Sequence, residues 1–437
     1  MSLPSNLEFE FAVPPPGVAK RAPCLGDTFA GQLLAFREFG KETILAETTV
    51  ATADGKPFSV PTYINEFWTA KQRAASRLHE ISYRACFKPQ LPRFFIERLS
   101  APGDFVHDPF MGRGTTLIEA ALLGRVPCGC DVNPLSLVLV RPRLRPPTLE
   151  QIHARLAEID FNNSDQAPED LLVFYHPETL REIAALKKYL LGRAPLDPVD
   201  EWIALVALNR LTGHSTGFFS VYTLPPNQAV SVKSQRKINA DRKQTPPRRS
   251  VPKLIFKKSR ILLKDCDEAT RARLCAMMEK SLLLNQPAYL TTQIPDASIS
   301  LVVTSPPFLD VVDYAGDNWL RCWFLGIEAA GIKLTVPKIL GRWQCEMTAV
   351  FRELGRVLRP GGHVAFEVGE IRLGQIKLEE TVVRCGLDAG LRPELILIND
   401  QKFTKTANCW GVDNNVLGTN TNRIVLFRKD PSLPRRR

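Results

Sequence analysis

The chain lacks any apolar run of the ~18–20 residues that a membrane-spanning helix needs. Its 10 cysteines include no pair of Cys-x-x-Cys units, and the closest two, Cys128 and Cys130, bracket a single glycine. This spacing argues against a zinc site and favours free thiols in a reducing compartment. The N-terminus is acidic and contains prolines, without the basic and then apolar order of a signal peptide. We therefore expect a cytoplasmic protein without a metal centre.

The composition is that of an ordinary globular protein, with 44% hydrophobic and 24% charged residues. At 437 residues the chain is long enough for one large domain with an insertion, or for two domains.

The positive charge is concentrated in one stretch. The whole chain carries a net charge of +11, and residues 233–264 hold twelve basic residues against a single acidic one, Asp241. The rest of the chain is therefore close to neutral. Such a stretch is typical of a protein that binds a polyanion. A solvated loop without a partner explains the stretch equally well.

Strand and helix patterns alternate on both sides of a helical and basic middle. The pattern after residue 103 predicts a strand, a glycine loop, a helix and a second strand, over residues 104–108, 109–114, 115–124 and 126–131. Residues 148–212 are predicted to be mostly helical, and residues 1–57 to be irregular. Alternation resumes near residue 298 and continues to residue 428. The sequence therefore predicts an α/β fold with a doubly wound, mostly parallel sheet.

The glycine loop is a candidate cofactor site. Asp108, Phe110, Gly112 and Gly114 lie between a predicted strand and helix, where glycines let the backbone approach a ligand. Asp131 ends the next strand and could accept the two hydroxyls of a ribose. A dinucleotide site is one alternative, but its G-x-G-x-x-G fingerprint is absent. An Asp before the loop can instead pair with a cationic amino group, which S-adenosylmethionine has and NAD lacks.

A second candidate site is the double proline that follows the strand pattern of residues 298–305. Proline cannot continue a sheet, so the segment Thr304-Ser305-Pro306-Pro307-Phe308 predicts a rigid loop at a strand end. Such a loop could hold a ligand, or it could be a rigid turn that binds nothing.

Taken together, "DPFMGRGTT" (108–116), "CDVNPLS" (130–136) and "TSPPF" (304–308) resemble the motifs of the amino-methyltransferase family of DNA methyltransferases. The resemblance covers about residues 64–140 and 288–428. It implies a Rossmann-like class I methyltransferase sheet, mostly parallel with an antiparallel strand near the C-terminus. It also implies transfer of a methyl group from S-adenosylmethionine to the exocyclic amino nitrogen of a flipped base.

The resemblance assigns the cofactor to residues of both motifs and of the segment before them. These residues are Phe87, Lys88, Pro89, Asp108, Pro109, Phe110, Gly112, Gly114, Thr115, Thr116, Asp131, Asn133 and Thr304. The family's third strand could be residues 288–293 or residues 260–267, and the shorter distance to the catalytic strand favours the former.

The resemblance assigns catalysis to the double-proline loop. The Ser305 Oγ and the Pro306 carbonyl would accept the two hydrogens of the target amine, Pro306 and Pro307 would keep the loop rigid, and Phe308 would stack on the base. A Ser at the first position favours cytosine and N4-methylcytosine, with adenine-N6 methylation as the alternative. No Cys follows Pro in this loop, which argues against methylation at cytosine carbon 5.

The motif order predicts five segments. They are an N-terminal extension (1–57), a cofactor-binding half (58–147), an inserted helical and basic region (148–287), a catalytic half (288–430) and a basic tail (431–437). In family members with such an insert it usually reads DNA, so double-stranded DNA is the expected partner. The candidate phosphate contacts are Arg236, Lys237, Arg248, Arg249, Lys257 and Lys258.

Other features of the insert are less specific. Trp202 and the pair Phe218 and Phe219 are more typical of a core than of base stacking, and His214 is either a ligand or a hydrogen-bonded surface residue. A separately encoded restriction endonuclease is a further candidate partner, in a bacterial or archaeal cytoplasm. Two rival functions stay open: an RNA base amino-methyltransferase, and a non-catalytic nucleic-acid-binding protein that keeps a degenerate methyltransferase fold.

Overall fold

A nine-stranded sheet forms the frame of the computed structural model. The structure describes residues 28–52, 54–69, 75–83, 86–223, 229–307, 314–328, 337, 339–371, 376–400 and 421–431. The strands in chain order are β1 (Ile44–Ala51), β2 (Pro57–Asn65), β3 (Phe105–Asp108), β4 (Val126–Cys130), β5 (Leu282–Leu284), β6 (Ile299–Thr304), β7 (Leu358–Val368), β8 (Glu370–Ile371), β9 (Ile376–Lys377), β10 (Arg392–Asp400) and β11 (Thr421–Arg428).

The strand order across the sheet is β1-β2-β10-β11-β7-β6-β3-β4-β5, and β8 and β9 form a separate two-stranded sheet. The neighbouring strands β7, β6, β3, β4 and β5 are parallel to one another. β11 runs antiparallel to both of its neighbours, β10 and β7. A parallel sheet with one reversed strand inserted beside its last parallel strand is the class I methyltransferase arrangement. The predicted fold class is therefore confirmed. The hairpin of β1 and β2 extends the sheet beyond β10.

The described helices in chain order are α1 (Phe29–Ala35), α2 (Gln90–Leu99), α3 (Thr115–Leu122), α4 (Leu135–Leu144), α5 (Leu149–Glu158), α6 (Pro177–Gly192), α7 (Pro198–Leu208), α8 (Val232–Asp241), α9 (Val251–Leu262), α10 (Glu268–Glu279), α11 (Tyr314–Leu325), α12 (Leu340–Val357) and α13 (Leu378–Asp388). None of them is long and apolar enough to cross a membrane.

Successive side chains of β6 point to opposite faces of the sheet and enter different parts of the core. Val302 packs with α12 and α13 on one face. Leu301 and Val303 pack with α2 on the other. Both faces are therefore covered, as expected of a parallel sheet.

The inserted helices build a third part of the core, which packs on α3 and α4. Its largest fully buried side chains include Trp202 and Phe219, so the prediction that these aromatic residues are core is confirmed. The insert uses ordinary helix signals: Asp197 caps α7 by accepting from two backbone amides, and Pro198 takes the first helical position.

Three expectations from the sequence are wrong. Residues 1–57 were expected to be irregular, yet the described part of that range contains α1 and β1. The third strand of the cofactor half is β5, whereas residues 288–293 form turns and residues 260–267 belong to α9 and the turn after it. Because β5 pairs with β4, the predicted boundary at residue 287 places a strand of the sheet inside the insert.

Candidate active site

Three neighbouring parallel strands reach one edge of the sheet with polar side chains. β3 ends at Asp108, β4 ends one residue before Asp131, and β6 ends at Thr304. From β3 the chain continues to β4 and β5 on one side of the sheet and then returns to β6 on the other side of β3. Open α/β sheets bind ligands at such a reversal of the strand order. Across this reversal the Thr304 hydroxyl donates to Asp108 Oδ1 at 2.6 Å. The structure thus brings these three predicted cofactor residues to one edge.

Asp108 is a buried carboxyl at the end of β3. It is 2% exposed, and burial raises its pKa to about 7, although bonds from Thr304 and from the Phe110 backbone N–H oppose the rise. Within the part of the chain that the structure describes, Asp108 forms no ion pair. Its ionised form would therefore be stabilised by a cation bound at this edge.

The glycine loop adopts backbone conformations that only glycine takes easily. The Pro109 carbonyl at its start accepts the thiol of Cys130 at 3.3 Å. Gly112 and Gly114 have φ of +48° and +76°. A Cβ at Gly114 would lie 2.4 Å from Val140 Cγ2, so this glycine lets α3 begin close against α4.

Asp131 holds the loop through its carboxylate. Its Oδ2 accepts the Gly112 N–H and its Oδ1 accepts the Asn133 N–H, both at 2.8 Å. The Asn285 side chain donates to the Asp131 carbonyl at 2.8 Å and ties the residue after β5 to the same edge. Each carboxylate oxygen keeps acceptor capacity, so hydroxyl groups of a ligand can still bind.

Tyr83 belongs to this edge although the sequence analysis did not select it. It is buried, its hydroxyl accepts from Asn133 Nδ2 at 3.3 Å, and its ring lies 3.8 Å from where a Cβ on Gly112 would be. The signal available in the sequence was its place four residues before Phe87, in the segment already assigned to the cofactor.

Thr115 and Thr116, at the start of α3, use their hydroxyls within the protein. Thr116 Oγ1 donates to the Val303 carbonyl at 3.0 Å and fastens α3 to β6. Thr115 Oγ1 accepts from Arg113 Nε at 3.2 Å. These two predicted cofactor residues therefore position the glycine loop.

Phe87, Lys88 and Pro89 lead into α2. Pro89 occupies the N-cap position of the helix without a side-chain capping bond. The Lys88 carbonyl accepts the Leu91 N–H at 3.1 Å, and Phe87 is half-buried against the core under α2. Pro89 also lines a cavity of about 320 Å³, together with Trp68 after β2 and residues of α2 and α3.

The double-proline loop directly follows β6, as predicted. Trp343, buried on α12, donates its indole N–H to the Pro307 carbonyl at 3.2 Å. The Pro306 carbonyl has no donor among the described residues. Phe308 lies outside the described residues. The loop is thus anchored at Pro307 and leaves the Pro306 carbonyl for another donor.

The Ser305 side chain is hydrogen-bonded to Glu367, a residue that the sequence analysis did not select. Glu367 lies on β7, is 5% exposed and also accepts from Asn422 Nδ2 at 3.0 Å. Burial raises the pKa of Glu367. A lone carboxyl inside the apolar strand pattern "HVAFEVG" was the sequence signal for it.

The basic stretch forms α8, α9 and their connection, and several of its charges have acidic partners. Arg236 pairs with Asp170. Arg248 pairs with Glu178 at 2.6 Å and with Glu182 at 2.5 Å. These two arginines were predicted to contact phosphate. In the structure they pair with carboxylates of the insert, and their phosphate contacts stay predictions.

The other four candidate phosphate contacts differ in exposure. Lys237 and Lys257 are exposed, and Arg249 is half-buried, with its backbone N–H donating to the Thr179 hydroxyl at 2.8 Å. Lys258 is only 9% exposed, and its phosphate contact stays a prediction. The stretch is therefore a folded part of the insert and not a solvated loop.

Comparison with known proteins gives matches concentrated on the cofactor half. Residues 47–137 match the N6_N4_Mtase family model, described as DNA methylase. The type II methyltransferase M.BsoBI of Geobacillus stearothermophilus is 21% identical over 287 residues, which are 58% of this chain and 53% of that protein. M.MjaII of Methanocaldococcus jannaschii is 31% identical over 77 residues, 18% of this chain and 14% of that protein. The chain thus spans about half or less of these curated relatives.

Solved structures align at low similarity. A SAM-dependent methyltransferase from Methanosarcina mazei is 10% identical, covers 77% of this chain and 97% of its own, and has a TM-score of 0.32. The fold assignment therefore depends on the strand order of this chain. Residues 47–137 are therefore similar to the amino-methyltransferase family of DNA methyltransferases, and the type II relatives match the chain at low identity or over short stretches.

Proposed function

We propose that this chain is a DNA methyltransferase that transfers a methyl group from S-adenosylmethionine to the exocyclic amino group of cytosine in duplex DNA, giving N4-methylcytosine. The observation that supports this most directly is the Ser305 hydroxyl on the double-proline loop, hydrogen-bonded to Glu367 and one strand away from Asp108.

The residues at the sheet edge fit S-adenosylmethionine. Asp108 and Asp131 form no ion pair within the described residues, and both have their pKa raised by burial. Asp108 would accept the amino cation and Asp131 the ribose hydroxyls, while the glycine loop lets the ligand approach the backbone. When bound, the cofactor supplies a methyl group on a sulfonium, which needs no covalent enzyme intermediate.

Ser305 would orient the target amine. The lone pair of an exocyclic amine is delocalised into the base, and acceptors for its hydrogens favour a tetrahedral nitrogen with a localised lone pair. Because the Ser305 hydroxyl donates its hydrogen to Glu367, its oxygen lone pairs stay available to the amine. The Pro306 carbonyl is the second acceptor, since Trp343 occupies the Pro307 carbonyl.

Glu367 would also receive the proton that the reaction releases. The amine must lose one proton as it gains the methyl group, and the Ser305 hydroxyl bridges the amine to the Glu367 carboxylate. Burial raises the pKa of Glu367, which makes it a stronger base than a solvated carboxylate. The pair thus combines orientation with a route for the proton.

The insert would bind the DNA. Of the six candidate phosphate contacts, Lys237 and Lys257 combine exposure with the absence of an acidic partner among the described residues. The proposal also includes flipping of the target cytosine out of the duplex, a cytoplasmic location, and a separately encoded restriction endonuclease as a functional partner.

The test is to express the chain in a host and sequence its DNA with a readout for modified bases. Host cells that carry the Ser305→Ala variant are the matched control. N4-methylcytosine at a defined motif, absent with the variant, would support the proposal. N6-methyladenine would overturn the cytosine assignment, and methylation of tRNA alone would overturn the DNA assignment. No modified base from a folded, cofactor-binding chain would favour a non-catalytic nucleic-acid-binding protein.

A further inference from the structure

The backbone just before Tyr83 is held by side chains from two distant parts of the chain. The Ser82 N–H donates to Asn209 Oδ1 at 2.7 Å, and the Ser82 carbonyl accepts from Arg321 Nη2 at 3.0 Å. Asn209 follows α7 in the insert, and Arg321 lies on α11. Ser82 belongs to no helix or strand, so these two bonds take the place of regular secondary structure in fixing its backbone.

Arg321 is itself buried and is oriented by its own helix. It is 8% exposed, and its Nη1 donates at 2.7 Å to Oδ1 of Asn318, which lies one turn earlier and is also buried. Because the guanidinium is a planar fork, the bond to Asn318 aims its other nitrogen at the Ser82 carbonyl. The guanidinium carbon also lies 5.7 Å from the centre of the Tyr83 ring, within the range of a cation–π contact. One side chain of α11 therefore reaches both the Ser82 backbone and the Tyr83 ring.

Tyr83 forms part of the wall of the candidate cofactor site. Its hydroxyl accepts from Asn133 Nδ2, and the Asn133 backbone N–H donates to the Asp131 carboxylate. Its ring lies 3.8 Å from where a Cβ on Gly112 would be. Tyr83 thus contacts both the glycine loop and the turn after β4. A displacement of the ring would reshape the edge of this site without removing any residue that was assigned to the cofactor.

The helix that carries Arg321 is anchored on the insert. Among the described residues, α11 is the first helix or strand after the double-proline loop. The Ala229 N–H donates to the Asp317 carbonyl at 3.2 Å, and the ring centres of Phe174 and Trp319 lie 6.1 Å apart. Arg321 thus joins a helix that is fixed on the insert to the segment that borders the cofactor site.

We propose that Arg321 is a positioning residue for the cofactor, which holds Tyr83 against the glycine loop and the Asp131 turn by way of the Ser82 carbonyl and the Tyr83 ring. This rests on the proposed function in that the ligand at this edge is S-adenosylmethionine. Arg321 does not touch the cofactor and acts only through Tyr83. An arginine that only stabilises the fold would instead change the free energy of unfolding and leave the cofactor affinity of the folded chain unchanged.

The first test compares S-adenosylmethionine binding by calorimetry in the wild-type chain and in Arg321→Met, which removes both donors but stays unbranched and flexible. Binding should weaken by about two- to 30-fold, the range for a residue that acts on a site without touching its ligand. The matched control is Arg125→Met. Arg125 is also 8% exposed and donates to the carbonyls of Leu123 and Ser100, but it lies directly before β4, at the opposite edge of the sheet. This control should bind the cofactor as the wild type does.

The second test asks whether Arg321 acts through Tyr83. Arg321→Met is introduced into a Tyr83→Ala variant, which lacks the ring. If Arg321 works by positioning this ring, its removal should change cofactor affinity by less than about twofold in that background. A purely structural arginine would give the same fold-change in both backgrounds. Should Arg321→Met not fold, Asn318→Ala keeps the guanidinium and removes the oxygen that orients it, and it should weaken cofactor binding only when the Tyr83 ring is present.

Three results would overturn the positioning role of Arg321. They are wild-type affinity in a folded Arg321→Met or Asn318→Ala chain, an equal loss of affinity in Arg125→Met, and equal fold-changes with and without the Tyr83 ring. Because these assays need neither DNA nor methyl transfer, they are independent of the modified-base experiment. A chain that binds the cofactor in an Arg321-dependent way but methylates no DNA would support the positioning role and overturn the proposed function. A wild-type chain that binds no S-adenosylmethionine would overturn both.

Discussion

Replacing Glu367 with Gln would test whether this buried carboxylate orients the Ser305 hydroxyl. Asn422 donates to one oxygen of Glu367, so the amide oxygen of a Gln would keep that position and the amide nitrogen would face Ser305. The amide would then donate to Ser305 Oγ and turn the serine hydrogen toward the target amine. The variant keeps the shape of the site but reverses the hydrogen bond that makes Ser305 an acceptor.

The expected loss follows from the bond that is reversed. A hydrogen bond to a charged group contributes about 1.5–3 kcal/mol, which corresponds to about a ten- to 150-fold slower methyl transfer. Single-turnover transfer to duplex DNA with saturating cofactor measures this step apart from binding. Cofactor and DNA affinity should change by less than about twofold, because Glu367 contacts neither in the proposal.

A double-mutant cycle with Ser305→Ala tests whether the two residues act together. If Glu367 works through Ser305, the double variant should be no slower than the slower single variant. Additive losses, or a Glu367→Gln variant that transfers at the wild-type rate, would refute the assigned role.

Stability gives a second readout of the same change. The folded-state pKa of Glu367 is raised above its ordinary 4.5, so its stabilising contribution is complete below about pH 4.5 and is lost as the pH rises through the raised value. Gln does not titrate, so its contribution does not change with pH. In denaturant unfolding, the free energy of unfolding of the variant should therefore rise relative to that of the wild type as the pH rises from about 4.5.

Three further changes probe the cofactor edge. Asp131→Ala should weaken S-adenosylmethionine binding by about 1.5–3 kcal/mol in calorimetry while the chain stays folded, and unchanged affinity would mean that the ribose partner is elsewhere. Because the pKa of Asp108 is about 7, cofactor affinity should fall by up to about tenfold per pH unit below about pH 7, and Asp108→Asn should abolish this pH dependence. Gly114→Ala should lower the unfolding free energy by about 1–3 kcal/mol more than Gly124→Ala, since both have φ near +75° but only the first would place a Cβ 2.4 Å from Val140. Equal losses from the two alanines would show that α4 moves away at no cost.

The cofactor edge could be predicted from the sequence because its residues sit at strand ends. Asp108, Asp131 and Thr304 each follow an apolar strand pattern, and parallel strands carry their C-terminal residues to one edge. The glycines between Asp108 and α3 marked the loop by their spacing. The local order of these residues was therefore enough to place them near one another.

Strands without a clear pattern escaped prediction. β5 is three leucines long and half-buried, so it has neither the length nor the alternation that marks a strand. β1 exposes Ile44 and Leu45 on its outer edge, where no apolar and polar alternation separates the two faces. Only pairing with β4 and β2 makes these segments strands, and pairing partners are not visible in a local window.

The charges of the insert show a further limit of sequence reasoning. Counting residues gave the stretch 233–264 a charge of +11, but Arg248 is paired with Glu178 and Glu182, more than 60 residues away in the chain. Pairing at such a distance depends on how α6 packs beside the start of α9, which composition does not encode.

Glu367 and Lys258 are two cases of the same physics with opposite sign. Each is an ionisable residue that the chain buries at a cost, one in a strand pattern and the other in a basic run. Glu367 recovers part of that cost through bonds from Ser305 and Asn422, whereas Lys258 has no partner among the described residues. A buried charge that the protein itself satisfies can orient a neighbouring group, as Glu367 is proposed to orient the Ser305 hydroxyl. Burial and pairing, and not residue type alone, thus decide what an ionisable side chain can do.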